Sequence, residues 1–109
     1  MGVYLLYTTA PSEEEAKRMA KELLEKGLIA CANVSPISSL YRWKGKLTEE
    51  REAAMILKTR AERVEEVVRE LRRVHPYELP CIVYFPVTGG LPEFLRWVEE
   101  STKISEERG

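Results

Sequence analysis

Residues 28–59 read LIACANVSPISSLYRWKGKLTEEREAAMILKT. Leu28 to Val34 has strand composition, and the stretch continues through Pro36 and Ile37 to Trp43. Lys44-Gly45 then predicts a two-residue hairpin turn, although Lys is less usual than Asn or Asp at its first position. Lys46 to Thr59 reads as the returning strand and ends in the apolar run Ala53 to Leu57. Pro36 has no N–H to give to a ladder, so it belongs on a sheet edge or at a bulge. From Ala30 to Trp43 the arm holds fourteen residues, which at ~3.3 Å each span roughly 45 Å. A compact domain of this size has a radius of gyration of only about 13 Å. The tip must therefore project past the rest of the fold, carrying Leu40, Tyr41, Trp43 and Leu47 into the open. Such a patch predicts that a second copy of the chain covers it.

Working outward, Val3 to Thr9 is apolar, β-branched or aromatic at most positions and is stopped by Pro11, so it reads as a strand. Ser12 and Glu15 have capping-box spacing, and Ala16, Met19, Ala20, Leu23 and Leu24 follow at helical intervals until Gly27. Downstream, Thr59 and Glu62 repeat the box ahead of a second helix carrying Val64, Val67, Val68, Leu71 and Val74. His75-Pro76 ends it, because the residue before proline is pushed out of the helical region. Cys81 to Val87 reads as a further strand, Gly89-Gly90 as a turn, and Pro92 opens a last helix through Phe94, Leu95 and Val98. The polar tail beyond Thr102 is expected to fray.

The order β-α-β-β-α-β plus a terminal helix is that of an α+β, ferredoxin-like domain spanning residues 1–109, with a long β-hairpin. Right-handed crossovers place both main helices on one sheet face. The second and fourth strands are then opposite edges, three spacings of ~4.8 Å apart. Cys31 and Cys81 are too distant on that topology to form a disulfide.

Of the 109 residues 44% are hydrophobic and 32% charged, which excludes a disordered chain, and no run approaches the ~20 apolar residues needed to cross a bilayer. Seventeen basic against eighteen acidic residues leave a net charge of −1, so neither nucleic acid nor membrane is expected as a partner. Met1 to Tyr7 reads as a strand rather than a targeting segment, and two cysteines without a Cys-x-x-Cys fit a cytoplasmic location. Every acid is Glu and the only amide is Asn33, a composition that predicts heat adaptation.

The residues offer little catalytic chemistry. With no Asp and a single His, a Ser-His-Asp triad cannot form in one chain, and there is no phosphate-binding glycine motif. The acids are read as solvated Glu runs on helices, and both cysteines as inert thiols in apolar strands. The chain is therefore not expected to be an enzyme and needs no cofactor. His75 alone offers a ligand nitrogen that titrates near neutrality; a structural role at the helix terminus, bonding carbonyls there, competes with that reading. Arg69, Arg72 and Arg73 form a basic last helical turn.

Several segments resemble the CutA family of divalent-cation-tolerance proteins: Thr8-Thr9-Ala10-Pro11, Leu28-Ile29-Ala30-Cys31-Ala32-Asn33, Tyr41-Arg42-Trp43-Lys44-Gly45-Lys46, Ile56-Leu57-Lys58-Thr59, His75-Pro76-Tyr77 with Pro80, and Phe94-Leu95-Arg96-Trp97. The resemblance implies a homotrimer of ferredoxin-like protomers, similar in shape to PII signalling proteins, with a role in metal tolerance. Some family members bind copper through a cysteine and two successive histidines. Those positions are occupied here by Thr8, Val74 and His75, so only His75 remains as a metal ligand and any copper binding is expected to be weak. One alternative, implied by the PII-like shape, is a sensor that holds a small anionic metabolite in inter-subunit clefts near Lys58, Arg69 and Arg72; a second is a purely structural or interaction trimer that takes no small ligand.

Overall fold

In the computed structural model, which describes residues 2–104, the hairpin is the longest feature. Strands β1 (Val3–Ala10), β2 (Cys31–Trp43), β3 (Lys46–Arg60) and β4 (Ile82–Pro86) form one antiparallel sheet in the order β2-β3-β1-β4. Helices α1 (Glu13–Glu25) and α2 (Val64–Val74) are the two crossovers, and α3 (Pro92–Ser101) follows β4. This is the ferredoxin-like arrangement expected from the sequence.

β2 and β3 pair without a break from Cys31↔Lys58 to Trp43↔Lys46. Lys44 and Gly45 both adopt positive φ, 50° and 80°, so the tip is the twist-compatible two-residue turn. Pro36 faces Ala53 within the continuous register, on the edge strand, where its missing N–H costs no ladder bond. The arm does not fold back: the molecule measures 51 × 27 × 21 Å, with a radius of gyration of 14.8 Å. β1 stops opposite Ala53, so beyond that point the hairpin is a two-stranded ribbon.

Alternation divides the sheet. Leu6, Ala10, Ala53, Met55 and Leu57 face α1 and α2 and pack with Met19, Leu23, Val67 and Leu71 in the core. The opposite face carries the cross-strand row Asn33–Ile56–Tyr7–Val83 and, beside it, Cys31–Lys58–Leu5–Phe85. There Ile56, Val83 and Phe85 remain exposed.

Local signals hold with some corrections. The Ser12 hydroxyl accepts the Glu15 N–H at 3.1 Å, but the Glu15 carboxylate turns to Arg18 instead of returning to the cap. At the other end Gly27 takes φ 71°, and the Leu28 and Gly27 N–H groups bond the carbonyls of Leu23 and Leu24, both at 3.0 Å, in a Schellman closure. The second capping box does not form. β3 runs through Thr59 to Arg60, a short 3-10 turn (Ala61–Arg63) precedes α2, and the buried Thr59 hydroxyl donates to the Leu28 carbonyl at 2.7 Å. Cys81 lies just outside β4 and is exposed, while Cys31 is half-buried in β2, on the opposite sheet edge. The part of the tail from residue 105 onward, expected to fray, lies outside the described residues.

Removing the Thr59 hydroxyl leaves a buried carbonyl without its donor. Thr59→Val is expected to lower stability by about 1–2 kcal/mol. The denaturant midpoint should fall at constant m-value, and an unchanged midpoint would contradict this account.

Candidate functional site

Three segments converge where the sheet gives way to the ribbon: the end of β1, the hairpin, and the connection from α2 to β4. Pro76 holds His75 in extended backbone at φ −74° and ψ 134°, which turns its ring away from the end of α2 toward β1. His75 Nε2 lies 2.7 Å from the Thr9 carbonyl, and Nδ1 lies 3.2 Å from the Tyr77 N–H. A carbonyl only accepts, so Nε2 carries the proton and Nδ1 accepts from Tyr77. The neutral ring thereby joins β1 to the connection. The carbonyl it bonds belongs to β1 and not to its own helix, which corrects the expected helix-terminal role.

Burial pushes the His75 pKa below its ordinary 6.5, and the Thr9 hydrogen bond and the charges of Glu52 and Glu15 oppose that shift without cancelling it. Thr8 Oγ1 stands 3.4 Å from His75 Nε2, so two of the three residues that the family resemblance singled out meet in space. Among the described residues no three His, Cys, Asp or Glu side chains cluster closely enough to hold one metal ion.

Beside His75 a cleft of about 340 Å³ opens beneath the hairpin. Tyr41, Trp43, Glu50 and Glu52 line it from the ribbon, and Tyr77 and Glu78 from the connection. The Tyr41 hydroxyl donates to Glu50 and the Tyr77 hydroxyl to Glu52. Both bonds raise the phenol pKa; that of Tyr41 is pushed up to about 12, with Glu50 the main cause. For Tyr77 burial is the larger cause, ahead of Glu52. The carboxylates were missed by reading the acids as helical runs. The signal was present in the sequence, because Glu50 and Glu52 are two apart in a strand and so share one face.

The other anticipated residues are dispersed. Leu40, Tyr41, Trp43 and Leu47 sit on the projecting tip, with Leu40 and Leu47 65% and 75% exposed. Lys58 points to the face away from the helices, where its ammonium donates to Asn33. Arg69 and Arg72 lie on α2, across the sheet, and Arg69 borders a separate hollow with Lys26 and Glu66. One protomer therefore does not bring Lys58, Arg69 and Arg72 together. Arg73 is occupied by Glu22 at 2.7 Å and Glu70 at 2.8 Å.

The family model described as CutA1 divalent ion tolerance protein matches residues 4–101. The chain belongs to this family. It is 50% identical over 98 residues to the divalent-cation tolerance protein CutA of Archaeoglobus fulgidus, covering 90% of this chain and 96% of that one. It is 45% identical over 97 residues to CutA of Thermotoga maritima, covering 89% and 96%. Among solved structures, the periplasmic divalent cation tolerance protein CutA from Archaeoglobus fulgidus superposes with a TM-score of 0.90 at 48% identity, over 93% of this chain and 99% of that one. CutA1 from Oryza sativa gives 0.91 at 32%, over 96% and 97%. The CutA fold and the link to divalent-cation tolerance are thereby shown. Compartment varies among relatives, since one is periplasmic and another chloroplastic. Among the described residues no helix is long and apolar enough to cross a membrane.

In this CutA family member the folded chain binds His75's proton less readily than the unfolded chain does. The stability that neutral His75 contributes is complete above about pH 6.5 and is lost as pH falls toward the folded pKa. An NMR titration of the imidazole is expected to give a midpoint below 6.5. A midpoint above that value would mean that the neutral clamp is wrongly assigned.

Proposed function

We propose that this chain serves divalent-cation tolerance without catalysis, as a cytoplasmic homotrimer with a binding and scaffolding role. The observation that carries the reading is the uncovered ribbon. A two-stranded hairpin is marginally stable alone in water, yet here it projects with Leu40, Trp43 and Leu47 exposed. Exposed Ile56, Val83 and Phe85, in two adjacent cross-strand rows, add a second apolar surface on the sheet face left free by α1 and α2. Together they offer a continuation of the core for other copies of the chain to complete.

A non-catalytic role is supported by His75, whose two nitrogens are both committed to backbone groups, leaving neither free to move a proton for a substrate. Two free thiols on opposite sheet edges suit a reducing compartment. Copper heads the affinity order at nitrogen sites, but at His75 it must displace either the Thr9 carbonyl or the Tyr77 N–H. Copper binding is therefore weak in this reading, and metal tolerance rests on the assembly.

Sedimentation equilibrium at micromolar concentration is expected to give three protomer masses, with Trp43→Ala weakening association more than Trp97→Ala does. A monomer, or equal effects of the two variants, would overturn the assembly. Copper titrated into wild type is expected to bind weakly, to lose affinity as His75 protonates below about pH 6.5, and to bind His75→Ala more weakly still. Equal binding by the variant would remove His75 as a ligand.

A further inference from the structure

Helix α3 is seated at one end only. Leu91, Phe94 and Val98 recur at helical spacing on one side of it, yet Val98 is fully buried while Leu91 and Phe94 stay exposed. The seated end covers part of the sheet. α3 packs against β1 and β3, and Val3 is only 4% exposed although it shares the β1 face of Leu5, away from α1 and α2. Neither Val3 nor Val98 belongs to the core built around Leu6, Met19 and Leu71. The contact is therefore small and separate from the packing that holds α1 and α2.

A guanidinium fastens it. Arg63, in the 3-10 turn after β3, has a nearly buried side chain whose Nη1 pairs with Glu66 at 2.9 Å. Its Nε donates to the Thr102 carbonyl at 3.2 Å and its Nη2 to the Lys103 carbonyl at 2.7 Å. A helix C-terminus leaves such carbonyls without intrahelical donors. The buried Thr102 hydroxyl donates to the Val98 carbonyl at 2.8 Å, a bond inside the segment that travels with it. At the other end, Leu91 is an N-cap without a side-chain hydrogen bond. Gly89 and Gly90 link it to Val87, whose N–H is tied to the Val3 carbonyl at 2.9 Å. A Cβ at Gly89 would meet nothing within 4 Å, so the link has room to swing. We propose that α3 is a hinged lid, pivoting at Gly89-Gly90 and latched by Arg63, which opens from the sheet while the sheet, α1 and α2 stay folded. Elements with few buried apolar contacts open at less than the free energy of global unfolding. Opening uncovers Val3 and Val98 and so lengthens the apolar face that carries Ile56, Val83 and Phe85. Arg63 thereby sets how much of that face is presented. These contacts all lie within one protomer, so the device does not rest on the proposed assembly.

A helix of ten residues is marginal in water by itself, so its amides exchange with solvent once it leaves the sheet. The test is native-state hydrogen exchange of the full chain, followed residue by residue by NMR at constant protein concentration. In the wild type the amides of α3 are expected to share one protection factor, at least about tenfold below those of β1 and β3. Arg63→Met keeps the apolar stem and loses the donors. It is expected to lower α3 protection by a further factor of about ten or more, with β1 and β3 unchanged. Val98→Ala weakens the same contact with the latch intact; it is expected to act as selectively, and it carries the test should Arg63→Met fail to fold. Wild-type α3 exchanging in step with β1 and β3 would overturn the proposal. So would either folded variant that accelerates sheet and helix alike or leaves α3 unchanged.

Discussion

The unbroken pairing of β2 with β3 is the constraint on which the rest depends. Every residue of the edge strand from Cys31 to Trp43 has a partner in β3, so the ladder has no place to bend. β1 has only eight residues and β4 five, so the sheet runs out of neighbours well before the hairpin ends. The overhang exposes apolar side chains, and it also forms the roof of a cleft that a shorter hairpin would not reach. A single difference in strand length therefore produces both the exposed apolar surface and the cleft beneath it.

His75 shows how a second constraint acts locally. Proline at position 76 fixes the backbone of the preceding residue as extended, and that geometry carries the ring toward β1. The ring then spends both nitrogens on the main chain, one on Thr9 and one on Tyr77. Tyr77 in turn reaches Glu52 on the hairpin. Thr9, His75, Tyr77 and Glu52 thus tie three segments together through one imidazole and one phenol. The same bonds that make His75 a clamp occupy both of its ring nitrogens, and coordination needs a free lone pair.

The fold was legible because its signals were local and agreed with one another. Helical spacing between Ser12 and Gly27, a positive-φ turn at Lys44-Gly45 and proline after His75 each name an element boundary. Where two readings competed, tertiary structure decided. Thr59 had the spacing of a cap, but strand pairing carried it into the core, where its hydroxyl found Leu28. The candidate site was less legible because its members lie far apart in sequence. Glu52 and Tyr77 meet through a side-chain hydrogen bond across 25 residues, and nothing in the period of either segment announces the other. Exposed Cys81 was similarly misread, since an apolar run following it gave no sign that the strand begins one residue later.

Charge is distributed unevenly over this nearly neutral chain, and the unevenness follows the two faces of the sheet. On the helical side acids and bases interleave: Lys26 lies 2.6 Å from Glu70, and Arg73 bridges Glu70 and Glu22. Arg73 and Lys26 hold the Glu70 carboxyl down at about 2. Each such exposed pair contributes little stability alone, but together they join α1 to α2 and leave that surface neutral. On the ribbon side the Glu50 and Glu52 carboxylates accept from the hydroxyls of Tyr41 and Tyr77. A phenol stabilises a carboxylate without removing its formal charge. The acids of this protein therefore fall into two environments that composition alone cannot separate: those between the helices sit in ion pairs, and Glu50 and Glu52 under the hairpin sit against phenols.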